Sequence, residues 1–414
     1  MRVLFVAPRY DQTAGDGVYV NRLASALLRK EVHVDVFTVK DGKFSLIKSP
    51  GILQDKAWVE GLSTNESRAM DFGILSKNFY SRAARSILKS VLQIVRPDCI
   101  HIHGIHQFFT LSCMLELKQY GAPIVFTVHD YKIVCGNASC FSDNKLAPCT
   151  KCLTGAVLQP ILESCKKNSR IASLGAAIQM TGWKYSRALD VVDKFLVGSR
   201  FVFDLLSTNQ SLATRLRLCR FPYPQLEDFV GSDTNEKVTL CFVGRLVSHK
   251  GILIFARAVS DFQVPVHIFG DGNLLESTRH ILQNDHNVTF HGWTSQREMA
   301  NYLSPGSIVI VPSLAYETFC YVVVEAMMRG CCVVASSRGG IPELIENGQN
   351  GIIVDLPTPE GFRDAVKMLL ANRDKIITLG RRATRITADL PNIDRHADEI
   401  VDIYRTLLVR GPLT

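Results

Sequence analysis

Long hydrophobic runs are missing from this 414-residue chain. Its apolar stretches, such as Val238 to Val243 and Ser307 to Pro312, fall far short of the roughly 20 residues that cross a bilayer, so no transmembrane helix is expected. The N-terminus, Met1-Arg-Val-Leu-Phe-Val-Ala-Pro8, lacks the longer apolar region and small-residue cleavage site of a secretory leader, and the expected location is the cytoplasm. No repeat of about 20 to 50 residues is evident, which excludes solenoids and propellers. With 47% hydrophobic and 21% charged residues, the polar bias of disordered chains is missing too. Acidic side chains are in deficit, 39 against 47 basic ones, and the resulting charge of +8 favours anionic partners without choosing among nucleotides, phospholipid headgroups and nucleic acid. No nucleic-acid-binding signature accompanies the charge, so nucleic acid is not expected. Cysteine is plentiful: twelve residues in a large chain without an export signal read as reduced, mostly buried thiols.

The length suits two domains. Short β-branched or apolar runs at Val3 to Ala7, Val32 to Val39, Cys99 to Ile102, Ile124 to Val128 and Lys194 to Val197 alternate with helix-like segments. Such near-continuously apolar strands predict a parallel sheet covered on both faces, a doubly wound Rossmann-like domain over residues 1–225. The pattern restarts with Val238 to Val243, Val266 to Phe269, Val288 to Phe290, Ile308 to Val311, Cys332 to Ala335 and Gly351 to Val354, predicting a second such domain over 236–393. Prolines and a polar run within Arg220 to Lys237 mark the connection, and residues 394–414 read as a helix crossing back toward the first domain.

Chemistry concentrates in the second half. The strand ending at Val243 runs into Gly244-Arg245-Leu-Val-Ser-His-Lys250-Gly251, which sets a guanidinium and an ammonium at the carboxyl end of a strand beside a helix N-terminus, where open α/β sheets bind anions. Solvated cations after a tight turn are the plainer alternative. Glu317 and Glu325, eight residues apart, can share one helix edge, Glu317 at its mouth and Glu325 inside it. A carboxylate in so apolar a segment calls for a partner, and a ribose diol or a cation from another element would serve. Glycine turns at Phe269-Gly270-Asp271-Gly272 and at Gly339-Gly-Ile-Pro-Glu343 close further strands.

Together these landmarks resemble the nucleotide-sugar domain of the family 4 glycosyltransferases of the GT-B fold, two Rossmann-like domains facing across a cleft. The resemblance implies a retaining hexosyltransferase that moves a sugar from a nucleoside diphosphate donor, a UDP- or GDP-sugar, to a saccharide or lipid-linked acceptor in cell-surface polysaccharide or glycolipid synthesis. It implies that Arg245 and Lys250 hold the diphosphate, Glu317 the transferred sugar and Glu325 the ribose. Gly244, Gly270 and the amides of Thr318, Phe319 and Cys320 would lie against the donor. Trp293, in His291-Gly-Trp-Thr294, would face the base or, alternatively, pack the domain. In the first domain, Gly17 belongs to a glycine loop, Gly15-Asp16-Gly17, expected before a helix, and His129, after the fourth strand, matches the histidine that contacts the donor sugar. Asp16 and Cys320 stand where the family carries glycine, or glycine or proline, which leaves a catalytically weak scaffold as a second reading; a phosphorylase or a sugar-nucleotide epimerase also fits this fold. No Asp-x-Asp pair occurs, and a catalytic metal is not expected.

Two features stand outside this scheme. Cys149-Thr-Lys-Cys152 has the spacing of a structural zinc site, and the resemblance, through similar insertions in family relatives, implies Cys135, Cys149, Cys152 and Cys165 as the four ligands with Cys140 apart; an iron–sulfur cluster or a metal-free reduced insertion over 135–165 fits as well. Basic stretches at Lys77 to Lys89 and Lys166 to Arg187 mix cations with apolar residues and suit peripheral contact with an anionic membrane.

Overall fold

A computed structural model describes residues 1–8, 10, 15–40, 43–48, 58–59, 81–104, 109–153, 156–166, 168–223 and 238–410. The first lobe contains β1 (Arg2–Val6), β2 (His33–Lys40), β3 (Lys43–Ile47), β4 (Trp58–Val59), β5 (Cys99–Ile102), β6 (Ile124–Val128), a small hairpin of β7 (Phe141–Ser142) and β8 (Ala147–Pro148), β9 (Lys194–Val197) and β10 (Leu216–Leu218). Apart from the hairpin these form one eight-stranded sheet in the order β10-β9-β6-β5-β1-β2-β3-β4. Its centre is parallel, and β3 and β4 add an antiparallel edge. Val3, Leu4, Phe5 and Val6 of β1 are all buried, as a strand covered by helices on both faces requires.

The second lobe has β11 (Thr239–Val243), β12 (Val266–Phe269), β13 (Val288–Gly292), β14 (Ser307–Val311), β15 (Cys332–Ser336) and β16 (Ile352–Val354), an all-parallel sheet in the order β13-β12-β11-β14-β15-β16. Both lobes are Rossmann-like α/β domains. In the second, the winding reverses between β11 and β14, and the crevice outside their carboxyl ends is where such sheets bind ligands.

Of the connection expected between the domains, residues 224–237 lie outside the described residues, as do 77–80 of the first basic stretch. The helix Ile393–Arg410 returns to the first lobe and packs on the helix Gly15–Arg29. Arg29 and Lys30 pair with Asp394 and Asp398 at 2.8 and 2.5 Å, and the Tyr19 hydroxyl lies 2.7 Å from His396 Nε2. At the end of the first lobe the Tyr223 amide donates to the Pro391 carbonyl, 3.0 Å away, just before the returning helix. No described helix is long and apolar enough to cross a membrane.

Candidate functional site

Both halves of the site leave the second sheet at its reversal point. After β11 the chain turns through Gly244, whose φ of 148° suits glycine, and Gly270 lies so close behind it that a Cβ there would overlap the Gly244 carbonyl oxygen. This contact locks the two glycine turns back to back, with Gly244 N donating to Phe269 O and Leu246 N to Asp271 O. A helical turn, Ser248–Lys250, then delivers Lys250 toward the loop after β14. There its Nζ donates to Glu317 Oε1 at 2.8 Å and Oε2 at 3.0 Å, while Ser313 Oγ donates to the same carboxylate at 2.6 Å. The Glu317 side chain is 12% exposed and that of Lys250 29%. Burial alone would raise the Glu317 pKa, but Lys250 and Ser313 hold it below the ordinary range, and Glu317 in turn outweighs burial and raises Lys250. Arg245 remains exposed, with Nη2 3.4 Å from His249 Nε2. Burial, then Lys250 and Arg245, push His249 down to about 4, so it is neutral near pH 7.

Sequence spacing placed Glu317 and Glu325 on one helix edge, and the structure corrects this. The helix spans Tyr321–Met328, and Cys320 before it is left-handed at φ 69°. Glu317 lies in the preceding loop and bridges to Gly339, whose neighbour Gly340 donates its amide to the Glu317 carbonyl at 2.8 Å. Glu325 accepts from Gln296 Nε2 at 2.8 Å. Burial raises its pKa to about 7, against the pull of Arg329 and of Arg22 from the first lobe.

The lobes meet across this loop. Thr318 Oγ1 donates to the main-chain oxygen of His129 at 3.2 Å, and the His129 ring lies 4.9 Å from Tyr19 and 5.5 Å from Phe221. Phe319 is buried, its ring packed against Phe221 and Tyr321. Ser248 Oγ donates to Asp143 of the cysteine-rich insertion, and Glu343 accepts from the amides of Arg200 and Phe201, capping a first-lobe helix. Gly15, Asp16 and Gly17 form the first turn of the helix Gly15–Arg29, not a loop before it; Gly17 is buried, and Gly15 faces Tyr321. Trp293 is 64% exposed just beyond β13 and does not pack the domain. The structure thus gathers Arg245, Lys250 and Glu317, sets Thr318 against His129, and holds Glu325 and Trp293 on neighbouring elements. Sequence reasoning assigned no role to Ser313, Gln296 or Arg22; only Ser313, at a strand end, carried any signal.

The expected thiol quartet is not assembled. Zinc–sulfur bonds of about 2.3 Å need sulfurs about 3.8 Å apart. Among the described residues, the one trio of Cys, His and acidic ligand atoms within 4.8 Å of one another is Cys219, His396 and Glu399, so no three of the five insertion cysteines meet that limit. Cys140, expected to stand apart, instead interacts with Cys135, as does Cys152: these neighbours hold the Cys135 thiol low, and Cys135 raises both of theirs. Within that trio Cys219 and His396 are buried, with Cys219 Sγ 3.6 Å from His396 Nδ1 and Tyr19 on the other ring nitrogen, while half-buried Glu399 pairs with Arg217.

Among solved structures, sucrose-phosphate synthase from Thermosynechococcus elongatus superposes with a TM-score of 0.71 at 18% identity, covering 99% of this chain and all of that one. HepE of Anabaena in complex with UDP-glucose gives 0.65 at 17% identity, covering 98% of this chain and 100% of that chain. The family profile described as Glycosyltransferase Family 4 matches residues 13–145, and that described as Glycosyl transferases group 1 matches 237–372. Segments of both lobes thus match glycosyltransferase profiles, on the fold those solved structures share. Among curated relatives, spore coat protein SA of Bacillus subtilis is 29% identical over 184 residues, 41% of this chain and about half (48%) of that protein. The D-inositol 3-phosphate glycosyltransferase of Corynebacterium jeikeium is 24% identical over 401 residues, 91% of this chain and 88% of the relative. The second profile's segment contains Arg245, Lys250, Glu317 and Glu325, and the first contains Gly17, His129 and Cys135.

Proposed function

We propose that this chain is a glycosyltransferase that moves a hexose from a UDP- or GDP-sugar to a saccharide or lipid-linked acceptor, with retention of configuration, in building a cell-surface polysaccharide or glycolipid in the cytoplasm. The observation that carries the reading is the convergence of Arg245, Lys250 and Glu317 at the reversal point of the second sheet, tied through Thr318 to His129. In the reaction the bond from the sugar's anomeric carbon to the diphosphate oxygen breaks as the acceptor oxygen bonds to the same face, and the acceptor proton passes to the departing phosphate. Arg245 and Lys250 offset the charge left on that phosphate, the part a metal plays elsewhere, and the missing Asp-x-Asp pair supports a metal-free route. Retention and the acceptor class rest on the family resemblance. Glu325 and Gln296 present an acceptor and a donor of the kind a ribose diol would use. The reading is tested by the shift in melting temperature with UDP-, GDP- and ADP-sugars, together with release of nucleoside diphosphate. One nucleotide class should stabilise the chain, and Arg245→Ala should abolish release; no shift with any donor sinks the proposal. A scaffold without catalysis is favoured by one observation, the engagement of Lys250 by Glu317, and donor binding without turnover would select it.

A further inference from the structure

The outward face of the helix Arg170–Tyr185 is apolar. Ile171, Leu174, Ile178 and Tyr185 are all exposed, Ile171 by 81% and Tyr185 by 77%. Separations of three, four and seven residues place them in one stripe. Leu158 and Leu162, the latter 74% exposed, extend the stripe over the short helix Gln159–Leu162, and the two helices frame an open groove of about 260 Å³. Exposed apolar side chains grouped in this way mark a contact surface. The surrounding charge identifies the partner: residues 158–185 carry Lys166, Lys167, Arg170 and Lys184 against a single acid, Glu163, which is already paired with Lys145 and Lys151.

We infer that this helical hairpin is a seat for an anionic lipid bilayer. The stripe enters the boundary between headgroups and acyl chains, and the flanking cations meet lipid phosphates. The seat names the partner surface of the proposed transfer and rests on that reading for its purpose. Its inner face is joined to the segment that follows His129: Lys132 Nζ donates to Gln179 Oε1 at 2.7 Å, and Met180, Ala176 and Pro160 lie against Gly136. A single helix, about 10 Å across, therefore separates the lipid surface from the segment that follows His129. An acceptor anchored in that surface is held beside the cleft.

The test is co-sedimentation of the full chain with vesicles of phosphatidylcholine alone or mixed with phosphatidylglycerol. The chain should pellet with the mixed vesicles and not with the neutral ones. Ile171→Glu with Leu174→Glu should weaken binding at least tenfold. Neutralising Lys166, Arg170 and Lys184 should weaken it by roughly fivefold per charge. Thermal melts establish that these surface variants fold. A wild-type chain left in the supernatant, or an Ile171→Glu/Leu174→Glu variant that pellets as well as wild type, overturns the seat. So does a dimer, seen by sedimentation equilibrium, that Ile171→Glu dissociates, because that assigns the face to a second copy. Donor-induced stabilisation is measured on the same samples. Its presence without lipid binding overturns the seat and leaves the transferase reading standing; its absence with lipid binding supports the seat and overturns that reading.

Discussion

Breaking the Lys250–Glu317 pair should affect stability and nucleotide binding in separable ways. At 2.8 Å and an effective dielectric of about 20, the gross attraction is about 6 kcal/mol, most of it offset by the cost of desolvating both groups. Removing one partner of a fully buried pair costs about 3–5 kcal/mol; with the lysine 29% exposed, Lys250→Met should cost about 2 kcal/mol. That is a fall of roughly 4–8 °C in Tm. Glu317→Gln should cost less, because its lysine can turn to water. The double variant should recover to within about 1 kcal/mol of the parent, a coupling that a double-mutant cycle in urea reads directly. Glu317 has a folded pKa below its ordinary 4.5, so its contribution is complete above that pH and is lost as pH falls through the lower folded value. Nucleotide binding should move the opposite way. A phosphate held on the far side of Lys250 Nζ, itself 2.8 Å from Glu317, would lie about 6 Å from that carboxylate, where removing the negative charge gains about 0.7 kcal/mol even at the dielectric of water, so Glu317→Gln should bind UDP at least about threefold tighter by calorimetry while losing sugar transfer. A Lys250→Met Tm unchanged within about 1 °C, or weaker UDP binding by Glu317→Gln, would refute the reasoning.

Other perturbations address neighbouring parts of the site. Glu325 keeps its proton in the folded chain up to about pH 7 against an ordinary 4.5, so its contribution is complete below 4.5 and is lost as pH rises through 7. The loss is on the order of 3 kcal/mol, and Glu325→Gln should flatten urea-melt stability across that window. Gly339→Ala, at φ 65° and with its Cβ overlapping the Glu317 carbonyl oxygen, should destabilise by about 2 kcal/mol or more and displace Glu317; a native-like denaturation midpoint would contradict this. Cys320→Gly relieves a left-handed backbone and should stabilise by up to about 1 kcal/mol, seen as a raised Tm. Glu343→Ala removes the cap from Arg200 and Phe201 and should speed amide exchange at those two residues, with a cost of about 1 kcal/mol.

Most of the architecture was legible because buried parallel strands leave dense apolar runs. Ile124 to Val128 and Val266 to Phe269 coincide with β6 and β12. Strands β3, β4 and β10 escaped notice: β4 and β10 are short and lie at sheet edges where half the pattern is solvent, and β3 breaks its apolar run with Lys43 and Ser45. The cations after β11 were legible because a strand end, a glycine turn and a helix start coincide there. The relation between Glu317 and Glu325 was misread because helical periodicity was applied across a left-handed residue that only coordinates reveal. The cysteine spacing matched a metal template, but spacing carries no information on which thiols the hairpin β7–β8 brings together. The cap from Glu343 to Arg200 spans 143 positions and has no local signature.

The hydrogen bond from Tyr223 to Pro391 ties the last described residue of the first lobe to the residues just before the returning helix, so the chain leaves and re-enters the first lobe at one corner. Two bodies hinged along one edge rotate and do not slide. Leu390 and Arg220 lie beside Ser199 and Glu343, close to that axis, so rotation moves this corner little and the Glu343 cap can survive many openings. The contact between Asp143 and Ser248 is a single hydrogen bond from the insertion to the second lobe. Were the lobes to rotate apart about that corner, the cysteine-rich insertion and the Ser248–Lys250 turn would lose their contact while the Glu343 cap held.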